Sequence, residues 1–124
     1  MRRDFDGYND AALVDPTATS CLEFITGADF NASGAIFWLR YIIVRNSSAL
    51  VDGIIEVYDQ DEAVAVATNL RFVFDAPASS TTVIEIPSPG ISFLINITGG
   101  LNGNLGTVAI GNVHAGGYLV GGME

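Results

Sequence analysis

Apolar and polar residues alternate along much of this chain, which is the spacing expected of strands with one buried face. The clearest alternation covers residues 91–98, and residues 70–75 and 81–86 repeat it. Because successive side chains of a strand point to opposite faces, each segment is predicted to be a half-buried strand. The side chains predicted to form the core on these strands are Leu70, Phe72, Phe74, Ile84, Ile91, Phe93 and Ile95.

Residues 36–44 differ, since they are β-branched or aromatic with apolar residues on both faces, and this predicts a central strand. A short strand is predicted over 53–58, and a last strand over 107–110 after a Gly- and Asn-rich run, 99–106, that is predicted to close a hairpin. No segment has a convincing helical period. The prediction is an all-β fold, an antiparallel β-sandwich or barrel of jelly-roll-like type.

The two ends of the chain lack this pattern. Residues 1–30 are predicted to be an irregular N-terminal arm, 31–115 the β-sandwich domain, and 116–124 a flexible Gly-rich tail. Apolar side chains in an irregular arm need a surface to pack on. The arm is predicted either to reach a neighbouring subunit or to fold back over its own sandwich, and its candidate intersubunit contacts are Phe5, Tyr8, Leu13 and Val14.

Composition narrows the classes of partner. The chain has 124 residues, 49% of them hydrophobic, and a net charge of −9, which suits one domain with a core. Its five basic residues are all arginines, and the only adjacent pair is Arg2-Arg3, so nucleic acid is not an expected partner. The longest apolar stretch, 35–44, is too short for a bilayer and contains Arg40, and no export signal is predicted.

Residues that could carry catalysis are few. His114 is the only histidine and Cys21 the only cysteine, so a catalytic triad or a multi-histidine metal site has little to build on. His114 is interpreted as a solvated loop residue and Cys21 as a small buried hydrophobe. The acidic turn 59–62 offers oxygen ligands but lacks the glycine of a calcium loop. We therefore expect no enzymatic activity, no cofactor and no metal site.

Two further motifs have a structural interpretation beside a functional one. Asn31, Asn46 and Asn96 begin glycosylation triplets and are interpreted as turn residues. Trp38, with Phe37 and Tyr41, would form a carbohydrate platform if exposed, although aromatic residues within a strand more often belong to a core or an interface.

From about Leu39 to Ile110 the chain resembles small β-sandwich subunits of tailed phages, of the decoration or cement kind. The resemblance lies in four segments: YIIVRNSS at 41–48, IEVYD at 55–59, FDAPASSTTVI at 74–84 and PSPGISF at 87–93. It implies a virion structural protein, made in the host cytoplasm and placed on the outer capsid surface. It further implies contact with the major capsid protein and self-association, with a trimer favoured.

Two other functions remain open. A carbohydrate- or receptor-binding β-sandwich module would expose aromatic side chains over a shallow groove. A tail- or fibre-associated structural protein would suit the Gly-rich C-terminal residues equally well.

Overall fold

A computed structural model describes residues 2–10, 12–26, 30, 34–102 and 108–121. These residues form strands and one 3₁₀ turn, Ala67–Asn69; none of this helical structure has the length or hydropathy that a bilayer-spanning helix needs. The strands are β1 (Arg2–Asn9), β2 (Ala12–Leu13), β3 (Leu22–Glu23), β4 (Ile36–Asn46), β5 (Gly53–Asp59), β6 (Leu70–Ala76), β7 (Ser80–Glu85), β8 (Ile91–Phe93), β9 (Ile97–Asn102) and β10 (Val108–Val120).

The strands form two antiparallel sheets packed face to face. Sheet 1 has the order β1-β10-β4-β7, with β2 also on β10 and β8 also on β4, and sheet 2 has the order β3-β9-β5-β6. The chain passes repeatedly from one sheet to the other, and this order of strands in two four-stranded rows is that of a jelly roll. The predicted all-β, antiparallel, jelly-roll-like sandwich is confirmed.

Strand β4 crosses the centre of sheet 1, as the apolar run predicted. It pairs with β10 on one side and with β7 and β8 on the other, and Phe37, Leu39, Ile42 and Val44 are fully buried. Inward side chains are at odd-numbered positions up to Leu39 and at even-numbered positions from Ile42 onward. The change is caused by a bulge: Leu39 pairs with Gly117 and Tyr41 with Gly116, so Arg40 is an extra residue without a partner on β10. As a result Arg40 and the next residue both face outward.

The hydrophobic core contains more residues than the seven that the alternating segments predict. Phe93 is fully buried as expected, whereas the other predicted core residues on β6 to β8 and the following loop are half-buried, and Leu70 is 41% exposed. The prediction for Leu70 is wrong because this residue begins an edge strand at the end of sheet 2. The core is completed by residues from aperiodic segments, such as Phe24 and Phe30, the latter stacked on Phe37 at 5.7 Å between ring centroids.

The segment predicted as one strand over 91–98 is two strands in different sheets. Between β8 and β9 the backbone N–H groups of Leu94, Ile95 and Asn96 donate to the carboxylate of Asp59, at N···O distances of 2.8 to 3.3 Å. One side chain thus satisfies three backbone donors where the chain leaves one sheet for the other.

The glycine run was also predicted wrongly in part. Gly99 and Gly100 lie within β9, and β10 pairs in sheet 1 instead of returning beside β9 in a hairpin. A Cβ on Gly99 would lie 1.9 Å from the carbonyl oxygen of Glu56, so β5 and β9 approach each other only with glycine there. Residues 103–107 of the run lie outside the described residues.

Arg2–Asn9 of the predicted irregular arm is a strand, and Val108–Val120, which includes the first residues of the predicted flexible tail, is another. Residues 122–124 of that tail lie outside the described residues. β1 pairs with β10 from Arg2 opposite Val120 to Asn9 opposite Val113. Strand β1 escaped prediction because it is an edge strand whose polar residues outnumber its apolar ones, and charged residues commonly protect such edges. The residues of the predicted tail up to Val120 belong to β10, the strand that joins β1 to β4.

Candidate binding surfaces

The four predicted intersubunit residues pack mostly within their own chain. Leu13 is fully buried, and the ring of Phe5 lies 6.3 Å from that of Phe37. Val14 is half-buried, and its carbonyl accepts a hydrogen bond from the N–H of Leu101. Only Tyr8, 51% exposed, presents a large surface to a neighbour. Folding back on the sandwich is the alternative that this structure displays, and contact of these residues with another subunit stays a prediction.

His114 lies in the middle of β10 and not in a loop. Its Nε2 atom is 2.6 Å from Oδ1 of Asp6, and the Tyr41 hydroxyl donates to the same oxygen. The rings of Tyr8 and Tyr41 meet the His114 ring edge to face at 6.1 and 6.0 Å between centroids. Cys21 is buried elsewhere, and burial raises the pKa of its thiol. The described contacts of His114 therefore provide an orienting network and no serine or cysteine nucleophile.

The acidic turn does not gather its carboxylates around a common point. Asp59 is committed to the backbone N–H groups after β8, and Asp61 and Glu62 are exposed. Within the part of the chain that the structure describes, no group of three or more His, Cys, Asp or Glu side chains is placed to hold a metal ion.

The outward side of sheet 1 carries an aromatic face, formed by Tyr8, Trp38, Tyr41 and Tyr118. Trp38 and Tyr118 are cross-strand partners whose rings stack at 6.4 Å between centroids and 19°. The guanidinium of Arg2 lies 4.4 Å from the centroid of the Tyr118 ring, and the Tyr118 hydroxyl donates to the carbonyl of Pro89 at 2.8 Å. These contacts hold Tyr118 in one orientation beside a hollow in the sheet.

That hollow has a volume of about 360 Å³ and Gly117 among its lining residues. The side chains around it are those of Arg2, Asp4, Asp6, Arg40, Tyr41 and Tyr118. A second hollow, of about 520 Å³, adjoins it and is lined by Arg40, Tyr41, Glu85, Ile86 and Pro87. Because Arg40 and Tyr41 line both, the two hollows are neighbours on sheet 1, and we call them together the groove.

Glycines keep this groove open. A Cβ on Gly116 would lie 2.5 Å from the ring of Tyr41, and one on Gly117 would lie 2.0 Å from the carbonyl oxygen of Trp38. The bulge turns Arg40 and Tyr41 outward together. Backbone geometry and side-chain size therefore create the hollow jointly.

The phenol of Tyr41 should ionise at a higher pH than an ordinary tyrosine, and this offers a test of its environment. Burial, followed by the hydrogen bond to Asp6 and its negative charge, raises the pKa of Tyr41 to about 12. Burial and Glu56 likewise raise the pKa of Tyr58 to about 12. Because both phenols hold their protons more tightly in the folded protein than in the unfolded chain, they stabilise the fold as long as they are neutral. This stabilisation is fully present below pH 10 and is lost as the pH rises through 12.

We expect a spectrophotometric titration of the folded protein to show Tyr41 and Tyr58 still protonated near pH 11. Tyr41→Phe should remove one of the two late-titrating groups, and Asp6→Asn should make one of them titrate earlier. Tyr58→Phe is the control that removes the other late group without touching sheet 1. An absorbance change above pH 11 that is the same in Tyr41→Phe and Tyr58→Phe as in the wild type would contradict this assignment.

A second surface lies where edge strand β6 of sheet 2 faces edge strands β7 and β8 of sheet 1, and we call it the β6 seam. It is bridged near one end by Arg71, whose Nη2 is 3.4 Å from Oγ of Ser92, and near the other by the hydroxyl of Thr82, which donates to the carbonyl of Asp75. Between these bridges the inward-facing side chains are only half-buried. They are Phe72, Phe74, Ile84, Ile86 and Ile91.

The opposite side of the sandwich is closed by contrast. Gly7 of β1 lies so close to Ile25 that a Cβ would be 2.4 Å from its methyl group. The side-chain amide of Asn9 donates to the carbonyl of Glu23. The sandwich thus leaves one of its two long sides partly open.

Comparison of the chain with protein families, curated proteins and solved structures finds no match.

The sequence predicts only part of the aromatic face. Its pattern offers Trp38 and Tyr41 as a platform, but it predicts a flexible tail around Tyr118 and a loop around His114. A period-two pattern was present, because His114, Gly116 and Tyr118 share one face of β10. The glycines obscured that pattern, since they are typical of turns and rare inside strands.

Proposed function

We propose that this protein is a non-enzymatic virion structural subunit that decorates the outside of a phage capsid through contact with the major capsid protein. It self-associates, with a trimer favoured. The observation that supports this proposal best is the β6 seam. Inward-facing apolar side chains on one side of a sandwich are only partly buried, and a neighbouring polypeptide is the natural cover for them.

The seam has the chemistry of a protein contact. β6 pairs only with β5 among the described strands, and β7 only with β4, so both strands have backbone groups available to a neighbour. Exposed valines flank it on the outward faces, Val73 at 51% and Val83 at 54%. A stable contact should bury more than about 1,000 Å² in total, which needs these flanks as well as the seam.

Charge and fold agree with a place on the outer surface. A net charge of −9 disfavours contact with packaged nucleic acid and suits a surface that faces solvent. Jelly rolls occur in viral capsid proteins and in lectins, and that analogy supports the proposal without identifying a partner.

The proposal predicts that charge at the seam abolishes assembly and leaves the fold intact. In Val73→Lys/Val83→Lys, the two lysines would lose their hydration when the contact buries them. A trimer should therefore become a monomer, and binding to capsids should fall at least about tenfold. Light scattering gives the mass in solution. Co-sedimentation with shells of the major capsid protein from the same genome gives the binding.

Val64→Lys is the matched control, because Val64 is 48% exposed but bridges to Ser20, on the β3 side of sheet 2. This variant should assemble normally. A wild-type protein that is monomeric and ignores capsids would refute the proposal, as would assembly that tolerates both lysines.

A further inference from the structure

We infer that the groove on the aromatic face of sheet 1 binds an uncharged oligosaccharide. The inference does not rest on the proposed assembly role, since the groove is centred on β1, β10 and β4 and the seam on β6, β7 and β8. The two surfaces adjoin at the end of β7, where Ile86 contributes to both and Val83 shares the outward face with Glu85.

The first support is the combination of side chains around the groove. Tyr41 and Tyr118 contribute aromatic surface to the same hollow, and aromatic rings pack well on the C–H faces of sugar rings. Asp4 and Asp6 can accept hydrogen bonds from sugar hydroxyls, and Arg40 can donate to them. Sugars suit this hollow, because each of their hydroxyl groups can both donate and accept a hydrogen bond, and the hollow has donors and acceptors beside its aromatic surface.

The second support is that the aromatic wall is held in place before any ligand binds. Tyr41 is fixed by Asp6, which also engages His114. Tyr118 is fixed by Arg2, Trp38 and the carbonyl of Pro89. A wall whose rotamers are already set loses little conformational entropy on binding.

The third support is the shape of the groove. The two adjoining hollows of about 360 and 520 Å³ are open at the surface and run from β1 to β7. This shape suits several linked sugar rings in a row better than one small, enclosed ligand.

Charge selects the class of sugar. Asp4, Asp6 and Glu85 line the groove, and the whole chain carries a net charge of −9. Sulfated or sialylated glycans would be repelled, because Arg2 and Arg40 do not outweigh these carboxylates. Neutral chains of hexoses or N-acetylhexosamines remain.

The test is calorimetric titration of the full chain with cellopentaose, maltopentaose and chitopentaose, and with sialyllactose as the anionic probe. We expect at least one neutral probe to bind with a Kd between about 10 μM and 1 mM, and sialyllactose not to bind. Tyr118→Ala should weaken that binding at least about tenfold. Asp4→Asn, at a side chain that is 84% exposed, should weaken it about threefold without disturbing the fold.

Asp61→Asn is the matched control, since Asp61 is exposed and lies outside the groove. Val73→Lys alone, on β6 of sheet 2, should also bind sugar as the wild type does. No binding of any neutral probe at about 5 mM, or binding that both groove variants leave unchanged, would overturn the inference. So would tighter binding of sialyllactose. Loss of self-association in Tyr118→Ala, without sugar binding by the wild type, would assign the face to a second copy of the chain.

Discussion

Replacing Phe93 with alanine is expected to lower the free energy of unfolding by about 3–5 kcal/mol. Phe93 is fully buried, pairs with Phe37 across β4 and β8, and lies beneath the guanidinium of Arg71 at 5.7 Å from the ring centroid. Truncation removes a large apolar surface and leaves a cavity between the sheets. Since β8 has only three residues, little of its backbone can move in to fill that space.

Denaturant unfolding followed by tryptophan fluorescence would measure this loss. Leu94→Ala is the neighbouring control, because Leu94 is 56% exposed and its truncation should cost less than about 0.5 kcal/mol. Equal losses for the two variants would show that Phe93 is not a core residue.

Replacing Asn46 with alanine is expected to cost about 3 kcal/mol, although no apolar contact is lost. Asn46 is fully buried at the end of β4, and its amide donates to the carbonyls of Val51 and Ala76 at 2.9 and 2.8 Å. Its side-chain oxygen accepts from the N–H of Ser48 at 3.0 Å. Alanine leaves all three backbone groups without this partner, and the carbonyl of Ala76 is in the protein interior.

Asn46→Asp separates hydrogen bonding from shape, because aspartate has the same size but would place a carboxylate against two carbonyl oxygens. We expect it to cost at least as much as alanine when measured by denaturant unfolding. Asn102→Ala is the control, since the amide of Asn102 reaches only a half-buried carboxylate, that of Glu56, at 3.3 Å. A stable Asn46→Asp variant would contradict the role assigned to this amide.

The sequence correctly predicts the strands that have one face against the core and the other face in solvent. Residues 81–86 alternate as β7 does, with Val83 outward and Ile84 inward, because one face meets the core and the other meets solvent. β10 could not be predicted in this way. Gly116 and Gly117 are required by close neighbours on β4, and such neighbours are known only once the sheets are assembled.

Buried polar groups escaped prediction for a related reason. The sequence predicts that Asn46 and Asn96 are turn residues, and both do shape loops. Their side chains are nevertheless buried, and the amide of Asn96 donates to Glu23 at 2.8 Å. The burial of an asparagine depends on which distant carbonyls and carboxylates surround it, and no local pattern encodes that. Asn31 lies outside the described residues.

The aromatic groove was predictable in its residues but not in its geometry. Trp38 and Tyr41 are three residues apart, which on a regular strand would place them on opposite faces. The extra residue at Arg40 brings both to the outward face. A bulge of one residue thus changes the surface of a strand without changing its composition.

The position of β10 has a consequence for how the molecule is made. β10 separates β1 from β4 in sheet 1, so the first strand has no partner strand until residues 113–120 have been synthesised. β4 can pair with β7 and β8 before then, but its other edge stays unpaired until β10 is made. Folding should be slow and nearly all-or-none, and a nascent chain halted before β10 is the species most prone to aggregate.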